Sequence, residues 1–91
     1  MSDSLCAELT IQNTKGLHAR AAAAFVKAIE DFDATVKVER IGQEADGFSI
    51  MGLMMLAAAK GTTIKVTCSG PQGKEALDAL TTLINNKFGE D

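Results

Sequence analysis

Between Leu5 and Gln12 the chain alternates, with Ala7, Leu9 and Ile11 to one side and Cys6, Glu8 and Thr10 to the other. That period of two predicts a strand with one buried face, and the polar run Asn13-Thr14-Lys15-Gly16 predicts the turn that ends it. The period then changes. Ala22, Phe25, Val26 and Ile29 follow the i, i+3, i+4, i+7 spacing of one helix face, so a helix is expected over about residues 19 to 30. Asp31-Phe32-Asp33 breaks it. Thr35 to Arg40 alternates again with Val36 and Val38 inward, and Ile41-Gly42-Gln43 predicts a tight turn into a short strand at Glu44 to Asp46. A short helix over Ser49 to Leu56 is followed by a strand over Thr62 to Ser69 that turns Ile64, Val66 and Cys68 inward. Past Gly70-Pro71-Gln72-Gly73, the spacing of Leu77, Leu80 and Ile84 predicts a last helix from Lys74 to Phe88, with Lys87 near its end and Gly89 as its C′ residue.

The order is therefore β-α-β-β-α-β-α. The hairpin at Gly42 requires an antiparallel pair, which favours an α+β fold with helices on one face of the sheet over a doubly wound parallel sheet. Ninety-one residues, 46% of them apolar and only one a proline, suffice for one small core, so residues 1–91 are expected to form a single domain.

Charge and composition remove several functions. A net charge of −3, no Trp or Tyr and no basic run argue against nucleic acid as a partner. The start MSDSLCAELT has neither a basic nor a long apolar stretch, and no window approaches the length of a membrane span, so a cytoplasmic protein without membrane contact is expected. Cys6 and Cys68 are too few for a disulfide scaffold. With His18 as the one histidine and no CxxC pair, neither a metal nor a cofactor is expected.

His18 stands where a loop becomes a helix. The first turn of a helix offers unpaired N–H groups and a partial positive charge, which suits an anion and works against a second proton on the ring. Arg20 can add a forked donor for phosphate oxygens, and Lys15 weak charge steering. These parts suit a histidine that accepts a phosphoryl group and passes it on, held loosely enough to leave.

The helix over Ser49 to Leu56 is apolar nearly all round, yet it can bury only one side. Leu53 and Leu56 are expected inward, leaving Ile50, Met51, Met54 and Met55 as an exposed patch of the kind that docks partners. Ser49 is at the N-cap position, where its hydroxyl accepts a helix N–H; a phosphate there would set a dianion beside the patch and repel an acidic partner.

Gly16-Leu17-His18-Ala19-Arg20, followed some thirty residues on by Phe48-Ser49-Ile50-Met51-Gly52-Leu53, resembles the HPr family of histidine phosphocarriers of the bacterial phosphotransferase system. The stretch from Ala59-Lys60-Gly61 through Gly70-Pro71-Gln72 to Phe88-Gly89-Glu90-Asp91 looks more like the nitrogen-related NPr branch than the sugar-transport branch. The resemblance covers nearly the whole chain. It implies an open-faced β-sandwich: a four-stranded antiparallel sheet in order 1-4-2-3, covered on one face by three helices.

It also implies that His18 is phosphorylated on Nδ1 by Enzyme I, itself charged from phosphoenolpyruvate, and hands the group to a IIA-type protein. By the same likeness Arg20 is the arginine beside the active histidine, and Ser49 is the serine modified where an HPr kinase is present. Two positions depart from the family pattern. Ala21 stands where a proline is frequent, which leaves one more N–H in the first helical turn. Phe48 stands where many relatives carry a polar or basic residue, which bears on recognition of Ser49 by a kinase.

The leading expectation is a monomeric, stoichiometric phosphoryl carrier with no turnover of its own, in which Lys15, Phe48, Ile50, Met51, Met54 and Met55 meet partners. Its main rival is a regulatory binding module, in which phosphorylation of His18 or Ser49 sets partner affinity and the group is never handed on. A small enzyme using His18 as general base is a weaker reading, because no pocketed carboxylate or nucleophile is spaced to cooperate with it.

Overall fold

In the computed structural model, which describes residues 4–90, the four strands form one antiparallel sheet. Residues 1–3 and Asp91, which the expected domain and the C-terminal resemblance include, lie outside the described residues. The elements run β1 (Leu5–Thr10), α1 (Ala19–Ile29), β2 (Thr35–Arg40), β3 (Gln43–Asp46), α2 (Ile50–Met55), β4 (Thr63–Ser69) and α3 (Gly73–Asn85), then a single 3-10 turn at Lys87–Gly89. Their order in the sheet is β1-β4-β2-β3. Both the expected element order and the expected sheet order are found.

The register explains why only one face needs covering. Ala7, Val66, Val38 and Ala45 sit opposite one another across the four strands, and the next rung along is Glu8, Lys65, Glu39 and Glu44. Because successive side chains alternate faces, the first rung points into the core and the second into water. Val36, Val38, Ile64, Val66 and Cys68 are buried as the alternation requires, while Cys6 is exposed on the far side. Burial pushes the Cys68 thiol up to about 11, so it behaves as a small apolar group.

The helices cover that apolar face. Phe25 and Ile29 from α1, Leu53 from α2, and Leu80 and Ile84 from α3 are all fully buried. Each contributes on the order of 1.5–3 kcal/mol relative to exposure. Ala21, treated above only as a stand-in for proline, is also fully buried. The β2–β3 turn has Ile41 at φ 44 and Gly42 at φ 79, the two left-handed residues that a two-residue hairpin turn needs.

The C-terminus departs from expectation. The helix stops at Asn85, three residues short of Phe88, and Gly89 is not its C′ residue. Lys87, Phe88 and Gly89 all have positive φ, 57, 56 and 76 respectively. This bend is closed by hydrogen bonds from Gly89 N–H to Asn86 O and from Glu90 N–H to Lys87 O, both 2.9 Å. Holding two non-glycine residues left-handed costs about 1–2 kcal/mol each. The bend places the Phe88 ring in the core at 8% exposure, which offsets much of that cost, and it turns Glu90 back toward the start of α1. Among the described residues, no helix is long and apolar enough to cross a membrane.

Candidate functional site

The loop between β1 and α1 is held from three sides. Gly16 N–H donates to Asn13 O at 3.1 Å, Leu17 N–H donates to Ala58 O at 2.8 Å, and the Asn13 side-chain amide donates to Gly16 O at 2.7 Å. Gly16 adopts φ +67, and a Cβ there would lie 2.6 Å from Ala58 O. The loop therefore passes flat against the segment after α2, and its end at His18 is fixed.

His18 is the N-cap of α1, with extended backbone at φ −82 and ψ −177. The backbone N–H of Arg20 donates to its Nδ1 at 3.3 Å, so Nδ1 acts as an acceptor and carries a lone pair at the positive end of the helix. The other ring nitrogen, Nε2, lies 2.7 Å from Oε2 of Glu90. With Nδ1 accepting, Nε2 is the protonated nitrogen and donates to the carboxylate. The imidazole side chain is 26% exposed, so part of the ring is reachable from solvent.

Contrary to the expectation that no carboxylate is placed to cooperate with His18, Glu90 pairs with it from 72 residues along the chain. Its second oxygen, Oε1, accepts from Asn13 Nδ2 at 3.1 Å, and the carboxylate side chain is only 16% exposed. Burial pushes the Glu90 carboxyl up. Hydrogen bonds from Asn13 and His18, together with the charges of His18 and Lys15, outweigh that and leave it below the ordinary glutamate value. Glu90 is therefore a carboxylate at neutral pH.

The remaining expected residues divide into two groups. Arg20 is exposed in the first turn of α1, and Lys15 is exposed in the preceding turn, near enough to favour the charged Glu90. The second group is on α2. Ser49 is its N-cap, its hydroxyl oxygen accepting from Gly52 N–H at 3.0 Å. Ile50, Met51, Met54 and Met55 are 42%, 75%, 41% and 76% exposed, while Leu53 and Leu56 are buried as expected. Phe48 differs from its neighbours: it is half-buried and packs against the core. Arg40, which no sequence motif marks, donates from Nη1 to Leu56 O at 3.1 Å and so ties down the C-terminal end of α2.

Residues 5–86 match the family model PTS-HPr, described as the PTS HPr component phosphorylation site. The phosphocarrier protein HPr of Pseudomonas aeruginosa is 51% identical over 84 residues, covering 91% of this chain and 93% of that protein. The phosphocarrier protein NPr of Escherichia coli is 43% identical over 82 residues, covering 89% of this chain and 91% of that one. The crystal structure of an HPr from Thermoanaerobacter tengcongensis superposes with a TM-score of 0.91 at 38% identity, over 96% of this chain and 98% of that chain.

Proposed function

The chain belongs to the HPr family, and from that premise we propose that it carries phosphoryl groups on Nδ1 of His18, taking them from Enzyme I and passing them to a IIA-type protein. Family membership makes it a phosphoryl carrier of the phosphotransferase system and not itself a catalyst.

The observation that carries it is the division of labour between the two ring nitrogens. Nε2 donates to Glu90, which leaves Nδ1 with its lone pair at the N-terminus of α1, in a side chain that is 26% exposed. The lone pair attacks the donor's phosphorus, and the first N–H groups of the helix and the Arg20 guanidinium receive the phosphoryl oxygens. Because the site is open, the charge of about −1.5 to −2 stays accessible to the next acceptor. The Met-rich face of α2 is the docking surface, its unbranched side chains suited to repacking against donor and acceptor in turn.

The test is to incubate the protein with Enzyme I, phosphoenolpyruvate and Mg²⁺, follow the intact mass, and then add a IIA protein. One acid-labile phosphoryl group that moves to the IIA protein is expected. A group that forms but stays favours the regulatory binding module, and no group at all with a competent Enzyme I removes the carrier reading.

Ser49 is the regulatory position in this proposal, through a dianion set beside Ile50 and Met51 by an HPr-kinase type of enzyme. Ser49→Ala removes the acceptor for Gly52 N–H and should lower stability by about 1 kcal/mol, read as a lower urea midpoint. Ser49→Asp keeps a capping oxygen and adds charge, so stability should hold while the rate of charging by Enzyme I falls. Equal rates for Ser49→Asp and wild type would end the switch reading of this serine.

A further inference from the structure

We propose that Arg40 is a positioning residue for partner docking: from the core-facing side of β2 it holds the C-terminal end of α2, and so keeps the Met-rich face and the His18 loop in one fixed frame. The inference rests on that face being where partners meet the carrier.

Arg40 is the misfit of its strand. Val36 and Val38 point inward and are buried, and the alternation turns Arg40 to the same side, where a third apolar residue would be expected. It is half-buried there. Among the described residues it makes no ion pair; Nη1 donates to Leu56 O at 3.1 Å, and Nε is buried without a partner. Folding alone gains little from this arrangement, because a desolvated Nε–H with no acceptor costs about as much as the bond to the carbonyl contributes.

The effect of the bond is local. α2 spans six residues, Ile50–Met55, and a helix that short has no stability of its own. Its N-terminal half is seated by the Ser49 cap and by close packing on β3, where a Cβ added to Gly52 would lie 3.3 Å from Ala45 Cβ. Beyond the buried Leu56 side chain, its C-terminal half has less support. An open cleft lined by Gln43, Glu44, Gly52, Met55 and Leu56 separates it from β3. No glycine ends the helix either; Ala57 takes the left-handed turn, at φ 52. The Arg40 guanidinium reaches across from the β2–β3 hairpin and supplies a hold on the last carbonyls.

The same end of α2 leads to the acceptor. Two residues past Leu56, Ala58 O accepts from Leu17 N–H at 2.8 Å, next to His18. Arg40 therefore stands at one end of a short path that joins the docking face to the loop carrying the acceptor nitrogen. A partner must meet both at once. If α2 is loose, docking has to order it, and that cost comes out of the affinity.

Kinetics with Enzyme I, this protein being the varied substrate, should be measured for Arg40→Met, Arg40→Lys and Lys37→Met, together with amide hydrogen exchange. Arg40→Met removes the donor but suits an inward, half-buried position, so the melting midpoint should hold. Its KM should rise about fivefold with kcat unchanged, the split expected when one bond shared by ground and transition states is lost. Exchange at the Leu56 and Ala57 amides, which donate to Leu53 O and Met54 O, should quicken while α1 and α3 stay as they are. Arg40→Lys keeps a charged donor on a long stem and should recover most of the wild-type KM. Lys37→Met removes the same charge from the exposed side of the same strand and should leave KM and exchange at wild-type values. If Arg40→Met folds poorly, the comparison passes to Arg40→Gln, whose shorter side chain lacks both the charge and the reach.

A wild-type KM without the Arg40 guanidinium, or an equal rise in Lys37→Met, would end the positioning role and leave the carrier reading intact. Unchanged exchange at Leu56 and Ala57 would overturn the clamp itself, whether or not the protein is charged. Failure of Enzyme I to charge the wild-type protein would instead overturn the carrier reading.

Discussion

His18→Ala should abolish acid-labile phosphorylation completely and leave the fold standing. The loss is expected to be total because the chain has one histidine, and no second imidazole can substitute. The fold should survive because the ring is an N-cap and not a core residue: it is 26% exposed, and its bond to Arg20 N–H is long at 3.3 Å. Losing such a cap costs about 0.5–2 kcal/mol, which for a domain of this size lowers the melting midpoint by several degrees. Glu90 loses one partner but keeps Asn13 and a path to water, so no buried unpaired charge is created. Intact mass after incubation with Enzyme I and phosphoenolpyruvate, with circular dichroism on the same sample, checks both halves. A phosphoryl group on a folded His18→Ala protein would show that the acceptor is elsewhere.

What the sequence disclosed and what it hid follow from the range of the interactions involved. The strands were legible because Val36 and Val38, or Ile64, Val66 and Cys68, alternate over a local window, and one covered face is enough to impose that pattern. His18 and Ser49 were legible for the same local reason, since each is a polar residue at the entry to a helical period. The exposed side of α2 could be read because too many apolar residues were present for one face to bury.

Glu90 could not be read in that way. Its role depends on Lys87 and Phe88 adopting left-handed backbone, which neither residue type announces, and helical spacing from Ile84 to Phe88 argued for three more residues of helix than form. Asn13 was read as an ordinary turn residue. Its burial is imposed by Gly16 and Glu90, partners that the turn motif alone does not reveal. The one local hint was the carboxylate itself, placed after a glycine at the chain end, and without the bend it has no address.

Gly16→Ala should be the most damaging of the small substitutions near the site. Two costs combine at this position. A left-handed φ of +67 costs an alanine about 1–2 kcal/mol, and the new Cβ would lie 2.6 Å from Ala58 O and 2.9 Å from Ala59 Cα. Both neighbours are backbone, so no side chain can rotate out of the way. The strands of chain must part, and the 2.8 Å bond from Leu17 N–H to Ala58 O goes with them, exposing or orphaning two buried groups at about 1–3 kcal/mol. A total of roughly 2–5 kcal/mol is a large share of the stability of a small domain and should lower the melting midpoint by about 10 °C or more. Gly42→Ala is the matching control: its φ is +79, but nothing lies within 4 Å of the added Cβ, so only the backbone cost remains. Because Gly16 O also accepts from Asn13, displacing this loop should loosen Glu90 and His18 together, and charging by Enzyme I should slow in Gly16→Ala but not in Gly42→Ala. Equal melting points for the two variants would show that the contact with Ala58 does not hold the loop.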